Sequence, residues 1–178
     1  SYSLARQKLV GELKKKGILW AEFDSVGSNS FESELAVKLN SERPVRAIPK
    51  LKNASRVLSL DCDFMGNREP YSLANSRSFM SGRKVNKPKD ALKMNRLYSV
   101  EADMTITGGV ADHRLRLESS RMKSFLCLLG AEILKTKPKK DTALIEKFSD
   151  LGKGTSEHSN WAKICAKDLL SANTRHFE

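Results

Sequence analysis

Two short polar stretches hold the residues best suited to chemistry. Asp61-Cys62-Asp63 places two carboxylates at i, i+2, and the segment from Thr105 to Arg114 gathers Gly108, Gly109, Asp112, His113 and Arg114. A carboxylate pair of that spacing could hold a divalent cation, or hydrogen-bond a ribose or a pterin amine. A cation needs more oxygen ligands than two carboxylates supply, so structural hydrogen bonding is the preferred reading of Asp61 and Asp63. His113 beside Asp112 suggests an oriented base, but adjacent residues rarely face each other, and no nucleophile stands in a recognisable elbow. The alternative is that Asp112, His113 and Arg114 tie their loop down, Asp112 pairing with Arg114 or capping a backbone N–H. The paired glycines fit either reading, because they let the backbone bend tightly or approach another group closely.

Other motifs are thin. Gly152-Lys153-Gly154-Thr155 contains the letters of a phosphate loop without its G-x-x-x-x-G-K-[ST] spacing, and Gly27 stands alone where a dinucleotide fingerprint would need three glycines. Cys62, Cys127 and Cys165 are widely scattered with no C-x-x-C pair, so neither an iron–sulfur cluster nor a structural zinc is expected here. Cys127 and Cys165 fall on apolar helical faces and are expected to be buried small hydrophobes. An odd number of cysteines excludes a fully paired disulfide framework.

The elements that would position these groups alternate. Leu4 to Lys16 has helical spacing of Leu4, Leu9, Val10 and Leu13 and ends at Gly17, followed by an apolar strand from Ile18 to Phe23. Ser25 to Asn29 reads as a loop, with Asn29 or Ser30 capping a helix to about Leu39 whose first turn carries Glu32 and Glu34. A short edge segment is expected at Val45 to Ile48 between Pro44 and Pro49. Arg56 to Leu60 and Arg96 to Val100 read as buried strands, with a weak helix at Tyr71 to Met80 and a basic approach from Gly82 to Lys89 between them. Beyond Arg114, Ser119 or Ser120 can cap a helix with a core stripe of Met122, Phe125, Leu126, Leu129 and Ile133. After the Leu134 to Asp141 linker come a short helix at Ala143 to Phe148 and a last one at His158 to Leu170. Trp161, Ile164, Cys165 and Leu169 face inward on the last helix. This alternation predicts an α/β domain, a mostly parallel sheet flanked by helices, spanning residues 1–178 as one unit. Ligands of such sheets lie beyond the carboxyl ends of the strands. Both polar stretches, with Asn67 and Arg68, are expected there.

A chain of 178 residues suffices for one core. With 39% hydrophobic and 30% charged residues it has the composition of a globular domain, and it contains no apolar run of about 18 residues. The N-terminus carries no charged and apolar leader, and it does not begin with Met, which suggests an excised piece or a processed product. The net charge of +11 permits nucleic acid, anionic lipid or an acidic protein as partner. Lysines cluster at Lys14 to Lys16, Lys84 to Lys89 and Lys135 to Lys140, at helix ends and linkers. Aromatics make up only 7% and do not interleave with these runs, which argues against a nucleic-acid reader and for a solvated surface.

Three segments, in order, resemble the molybdopterin-oxidoreductase-like region of the iron–sulfur subunit of alternative complex III. Asn95-Arg96-Leu97-Tyr98 with Glu101 matches that family's NRLYVVE strand. Thr105, Thr107-Gly108 and Ala111-Asp112-His113-Arg114 match its T-x-TG-x-x-ADHR loop. Upstream, Leu58 to Gly66 is similar to an LSLD-x-DFLG strand end; downstream, Trp161 with Ala166-Lys167-Asp168-Leu169 is similar to a W-x-x-x-x-AKDL helix. The resemblance implies an incomplete part of the molybdopterin-oxidoreductase fold, cut from a larger subunit of a quinol-oxidising respiratory complex on the periplasmic face of a bacterial inner membrane. In that subunit this region lacks the molybdopterin, and the clusters sit in a separate cysteine-rich ferredoxin-like region. The expectation is therefore a non-catalytic scaffold with no cofactor of its own, whose partners are the other subunits. Two alternatives stay open. One is a fragment of a genuine molybdopterin enzyme, in which Asp61, Asp63, Asp112, His113 and Arg114 would touch the cofactor. The other is a basic module that binds nucleic acid or an acidic protein.

Overall fold

The structure is a computed structural model and describes residues 3–21, 30–41, 45, 47–66, 71–138 and 140–171, with backbone alone for 30–33. The chain divides into two compact units, Ser1–Ile48 and Pro49–Glu178.

The first unit contains α1 (Leu4–Lys15) and α2 (Ser30–Lys38). Ser3 caps α1 by accepting the Arg6 N–H at 3.3 Å. Gly17, at φ +79°, ends it, as its position predicts, while Ile18 N–H reaches the Leu13 carbonyl and Gly17 N–H that of Lys14. Asn40, at φ +49°, ends α2 by the same arrangement, with Ser41 bonding Ala36 and Asn40 bonding Val37. Among the described residues none of α1 is buried: Leu4 and Leu9 are exposed, Val10 and Leu13 half-buried. One expectation is corrected here. Ile18 to Ala21 is not a strand, and Leu19 is 99% exposed. Alternating apolar letters favour a strand only where a ladder partner exists. Glu22, Phe23 and the Ser25 to Asn29 loop lie outside the described residues. No strand forms at Val45, Ala47 or Ile48.

The second unit is an α/β structure: a three-stranded parallel sheet in the order β1 (Arg56–Leu60), β2 (Arg96–Glu101), β3 (His113–Arg116), flanked by helices. Val57 pairs with Leu97 and Leu60 with Val100; Tyr98 pairs with His113 and Glu101 with Arg116. The central strand is buried on both faces, and its side chains alternate between two cores. Tyr98 and Val100 pack with Leu117, with Phe125 and Leu129 of α5 (Met122–Thr136), and with Ala162, Cys165 and Ala166 of α7 (Ser159–Ser171). Leu97 lies on the opposite side with Leu51, Phe64, Met65 and Phe79 of α3 (Ser72–Ser81). The remaining helices are α4 (Ile106–Val110) and α6 (Thr142–Leu151).

β3 is the main departure from the sequence reading. His113 and Arg114 belong to a strand, not to a loop, and a five-residue helix precedes it. The segment His-Arg-Leu-Arg offers one apolar residue and becomes a strand only because β2 supplies its ladder. Residues 102–112, only eleven in all, cross from one end of the sheet to the other, close to the shortest βαβ connection that geometry permits. Two helical stripes also differ by one position. Leu126 and Ile164 are 51% and 56% exposed, while Ala131 and Ala162 are buried in their layers. On α7, Ala162 and Ala166 pack in the same core as Tyr98 and Val100 of β2. Cys165 is buried as expected, whereas Cys127 is only half-buried.

Candidate functional site

The carboxyl ends of the three strands carry two adjoining features, a buried polar network and an open cleft. The network begins at β1. Asp61 takes a left-handed conformation (φ +49°) and turns the chain, its N–H still bonded to the Val100 carbonyl at 2.8 Å. The turn leaves the Asp61 carboxylate exposed and sends Asp63 inward. Asp63 Oδ1 accepts from Thr107 N–H at 2.9 Å and from the Thr107 hydroxyl at 2.7 Å. Thr107 is fully buried, and its Oγ1 accepts the Met65 N–H at 3.1 Å. A Cβ on Gly66 would lie 1.8 Å from Asp63 Oδ2, so only glycine closes this turn. The two aspartates are therefore not a paired site: one faces solvent and the other locks β1 to α4.

Glu101 ends β2 and is 2% exposed. Its Oε2 accepts the Thr105 hydroxyl at 2.6 Å, and its Oε1 accepts Arg114 Nε at 2.6 Å. Arg114 also donates to the Asp103 carbonyl at 3.2 Å. Thr105 caps α4 through its Oγ1, which accepts the Gly108 N–H at 3.0 Å. A Cβ on Gly108 would sit 1.7 Å from Glu101 Oε1. Burial works against the charge of both Asp63 and Glu101. Thr107, Thr105 and Gly66 outweigh it at Asp63, and Thr105 and Arg114 outweigh it at Glu101, holding both carboxyls below their ordinary range.

Asp112, His113 and Arg114 do not converge. Because the β2–α4–β3 connection returns the chain to the amino edge, Asp112 lies at the start of the sheet, opposite the edge its neighbours in sequence suggest. Its Oδ2 accepts the Leu97 N–H at 2.8 Å and forms an ion pair with Arg83, while Arg114 pairs with Glu101. The expected Asp112–Arg114 pair is replaced by these two, and the backbone-capping reading of Asp112 holds. His113 is exposed and stacks on Tyr98 with ring centroids 4.7 Å apart. Asn67 and Arg68 lie outside the described residues.

Asp168 was legible only as a letter in a helix motif, and its partners are set by packing. Its Oδ2 accepts from Tyr98 OH at 2.8 Å, Arg56 Nε at 2.9 Å and Arg96 Nη1 at 2.9 Å, which fastens α7 to β1 and β2. Burial opposes its charge, but these three donors together hold the Asp168 carboxyl low. Burial, and then the bond to Asp168, push the Tyr98 phenol up. Asn95, 4% exposed, plays a similar part beside β2, donating from Nδ2 to the Phe79 carbonyl at 2.8 Å and accepting Arg83 Nε at 3.1 Å. Gly152 and Thr155, two letters of the incomplete phosphate motif, are buried. A Cβ on Gly152 would meet the Leu128 backbone at 2.9 Å, so this glycine serves the close approach of α5.

The cleft, of about 590 Å³, opens beyond β2 and β3 between Ala102-Asp103, Arg116 to Ser119, Arg121 and Glu157-His158. None of the cleft's charged side chains stood out in the sequence, since they come from three separate turns. Arg121 is already engaged: it donates to the Gly154 carbonyl and is ion-paired with Glu157 and, at 3.5 Å, with Glu118. The Arg116 side chain makes no hydrogen bond or ion pair among the described residues and acts on Glu118 through space. Three carboxylates thus line the cleft against two guanidiniums, one of them committed. This lining does not fit an anionic dinucleotide such as a pterin cofactor. Among the described residues, moreover, no buried side-chain nitrogen or oxygen lacks a partner, so nothing in the network is aimed at an external group.

No family model matches the chain, and no curated protein matches it.

Proposed function

We propose that the chain is a non-catalytic scaffold region of a molybdopterin-oxidoreductase-like iron–sulfur subunit, part of a respiratory complex that oxidises quinol and docks against other subunits of that assembly. One observation carries the reading: four carboxylates of the family-like segments are spent on bonds within the fold. Asp63 holds Thr107, Glu101 holds Thr105 and Arg114, Asp112 holds Leu97 and Arg83, and Asp168 holds Tyr98, Arg56 and Arg96. Groups committed to the fold in this way position strands and helices, and they are poorly placed to bind or turn over a substrate. On this reading the pattern records the architecture of the family and not its chemistry.

The second reading, a fragment of a genuine molybdopterin enzyme, puts its ligand at this carboxyl edge, where sheets of this kind bind ligands, but the charge of the cleft there disfavours it. Metal and pterin analysis of the purified parent subunit separates the two. Iron without molybdenum or pterin is the expected result. Stoichiometric molybdenum with a releasable pterin overturns the scaffold reading.

A further inference from the structure

We propose that the segment 82–94 docks this domain on an anionic membrane surface. The inference is independent of the scaffold reading, because it concerns the amino edge of the sheet, away from the cleft. The segment leaves α3, runs through a 3-10 turn at Pro88–Lys93 and enters β2. Its stem is fixed. Asn95 N–H donates to the Gly82 carbonyl at 3.3 Å, and Arg83 folds inward over the Phe79 ring, binding Asn95 and Asp112. Its head is pre-shaped, with Asp90 Oδ2 accepting the N–H groups of Asn86 at 3.1 Å and Lys87 at 2.9 Å. That leaves Lys84, Lys87, Lys89 and Lys93 exposed, with the segment's one acid turned onto its own backbone. Among them stands Leu92, 92% exposed, with Val85 at 46%.

Composition decides among polyanionic partners. Protein interfaces are rich in arginine and aromatic anchors and poor in lysine, whereas the exposed cations here are all lysine and the arginine is turned inward. Single-stranded nucleic acid asks for aromatic platforms, and the segment has none. Lipid headgroups suit flexible lysines that keep their charge in water while their stems and a neighbouring leucine enter the interface.

The test is co-sedimentation of the 178-residue chain with vesicles of phosphatidylcholine alone and with vesicles that also contain phosphatidylglycerol. Binding is expected only with phosphatidylglycerol and should fall as salt is raised. Each lysine near an anionic surface is worth about fivefold in partitioning, so K84S/K87S/K89S/K93S should weaken binding by about two orders of magnitude or more. Leu92→Ser should weaken it about tenfold. The variant K8S/K14S/K15S/K16S, with the same total charge, should keep most of the binding. Circular dichroism should show all three variants folded. No binding to the anionic vesicles, equal loss in both quadruple variants, or an unaffected Leu92→Ser overturns the proposal. So does segment-dependent capture by immobilised polyglutamate without vesicle binding, which would assign the surface to an acidic protein.

Discussion

Replacing Asp168 with alanine removes the acceptor on which one helix and two strands converge. The Asp168 side chain is 14% exposed, and its three donors differ in how easily they find water. Tyr98 is 2% exposed, so its hydroxyl would be left buried and unpaired, a loss of about 1–3 kcal/mol. Arg56, with a side chain 21% exposed, loses a charge-assisted bond worth about 1.5–3 kcal/mol. Arg96 is 42% exposed and turns to solvent, so its share is discounted to about 0–1 kcal/mol. Together these span about 2.5–7 kcal/mol, and the expected loss within that span is about 3–5 kcal/mol, the range found when one partner of a buried charge pair is deleted. Asp168→Asn, which keeps volume and one acceptor, should lose about 1–2 kcal/mol. Urea unfolding followed by Trp161 fluorescence in a Trp20→Phe background reports on the second unit, since Trp161 packs 5.6 Å from both Tyr98 and Phe125. With a slope of about 2 kcal/mol per molar urea, Asp168→Ala should move the midpoint down by about 2 M. Tyr98→Phe should cost about 1 kcal/mol in the native background but stabilise beside Asp168→Ala, where it removes the unpaired hydroxyl. A midpoint shift below about 0.5 M, or equal losses for Tyr98→Phe in both backgrounds, refutes the reasoning.

Three further outcomes are expected. Gly108→Ala must displace Glu101 from Thr105 and Arg114, so it should destabilise by about 2–4 kcal/mol, and less when combined with Glu101→Ala; thermal melts of the four proteins check this. Asp63, Glu101 and Asp168 are all held below their unfolded values of about 4, so the stability they confer is complete above that range and drains away as pH falls through their folded values. Unfolding free energies should be level from neutrality to about pH 5 and then drop, with a shallower acid limb in Glu101→Gln/Asp168→Asn. Burial pushes the Cys165 thiol up to about 12, so a thiol reagent at mild alkaline pH should label exposed Cys62 first and Cys165 only on unfolding, as read by peptide mass.

The sequence determined what depends on local pattern. Short apolar runs marked β1 and β2 as strands, although only β2, the central one, is buried on both faces and β1, at the edge, is mostly half-buried. Gly17 and the apolar spacing of α5 and α7 marked helices and their ends, since caps and the 3.6-residue period are properties of adjacent residues. The alternation of these elements was enough for a parallel sheet flanked by helices. What depends on pairing was decided by the tertiary structure. β3 exists because β2 is there to bind it, and Ile18 to Ala21, with comparable apolar letters, is no strand. The same holds for the polar residues. Asp112, His113 and Arg114 are adjacent in the chain, yet they are distributed to Leu97 with Arg83, to Tyr98, and to Glu101, because the connection carries the chain back across the sheet and successive strand residues face opposite ways. Asp61 and Asp63 separate for a similar reason, a single left-handed residue turning one out and the other in. Partners such as Asp168 for Tyr98, seventy positions away, are chosen by the packing of a helix on a sheet and are not written in either segment alone.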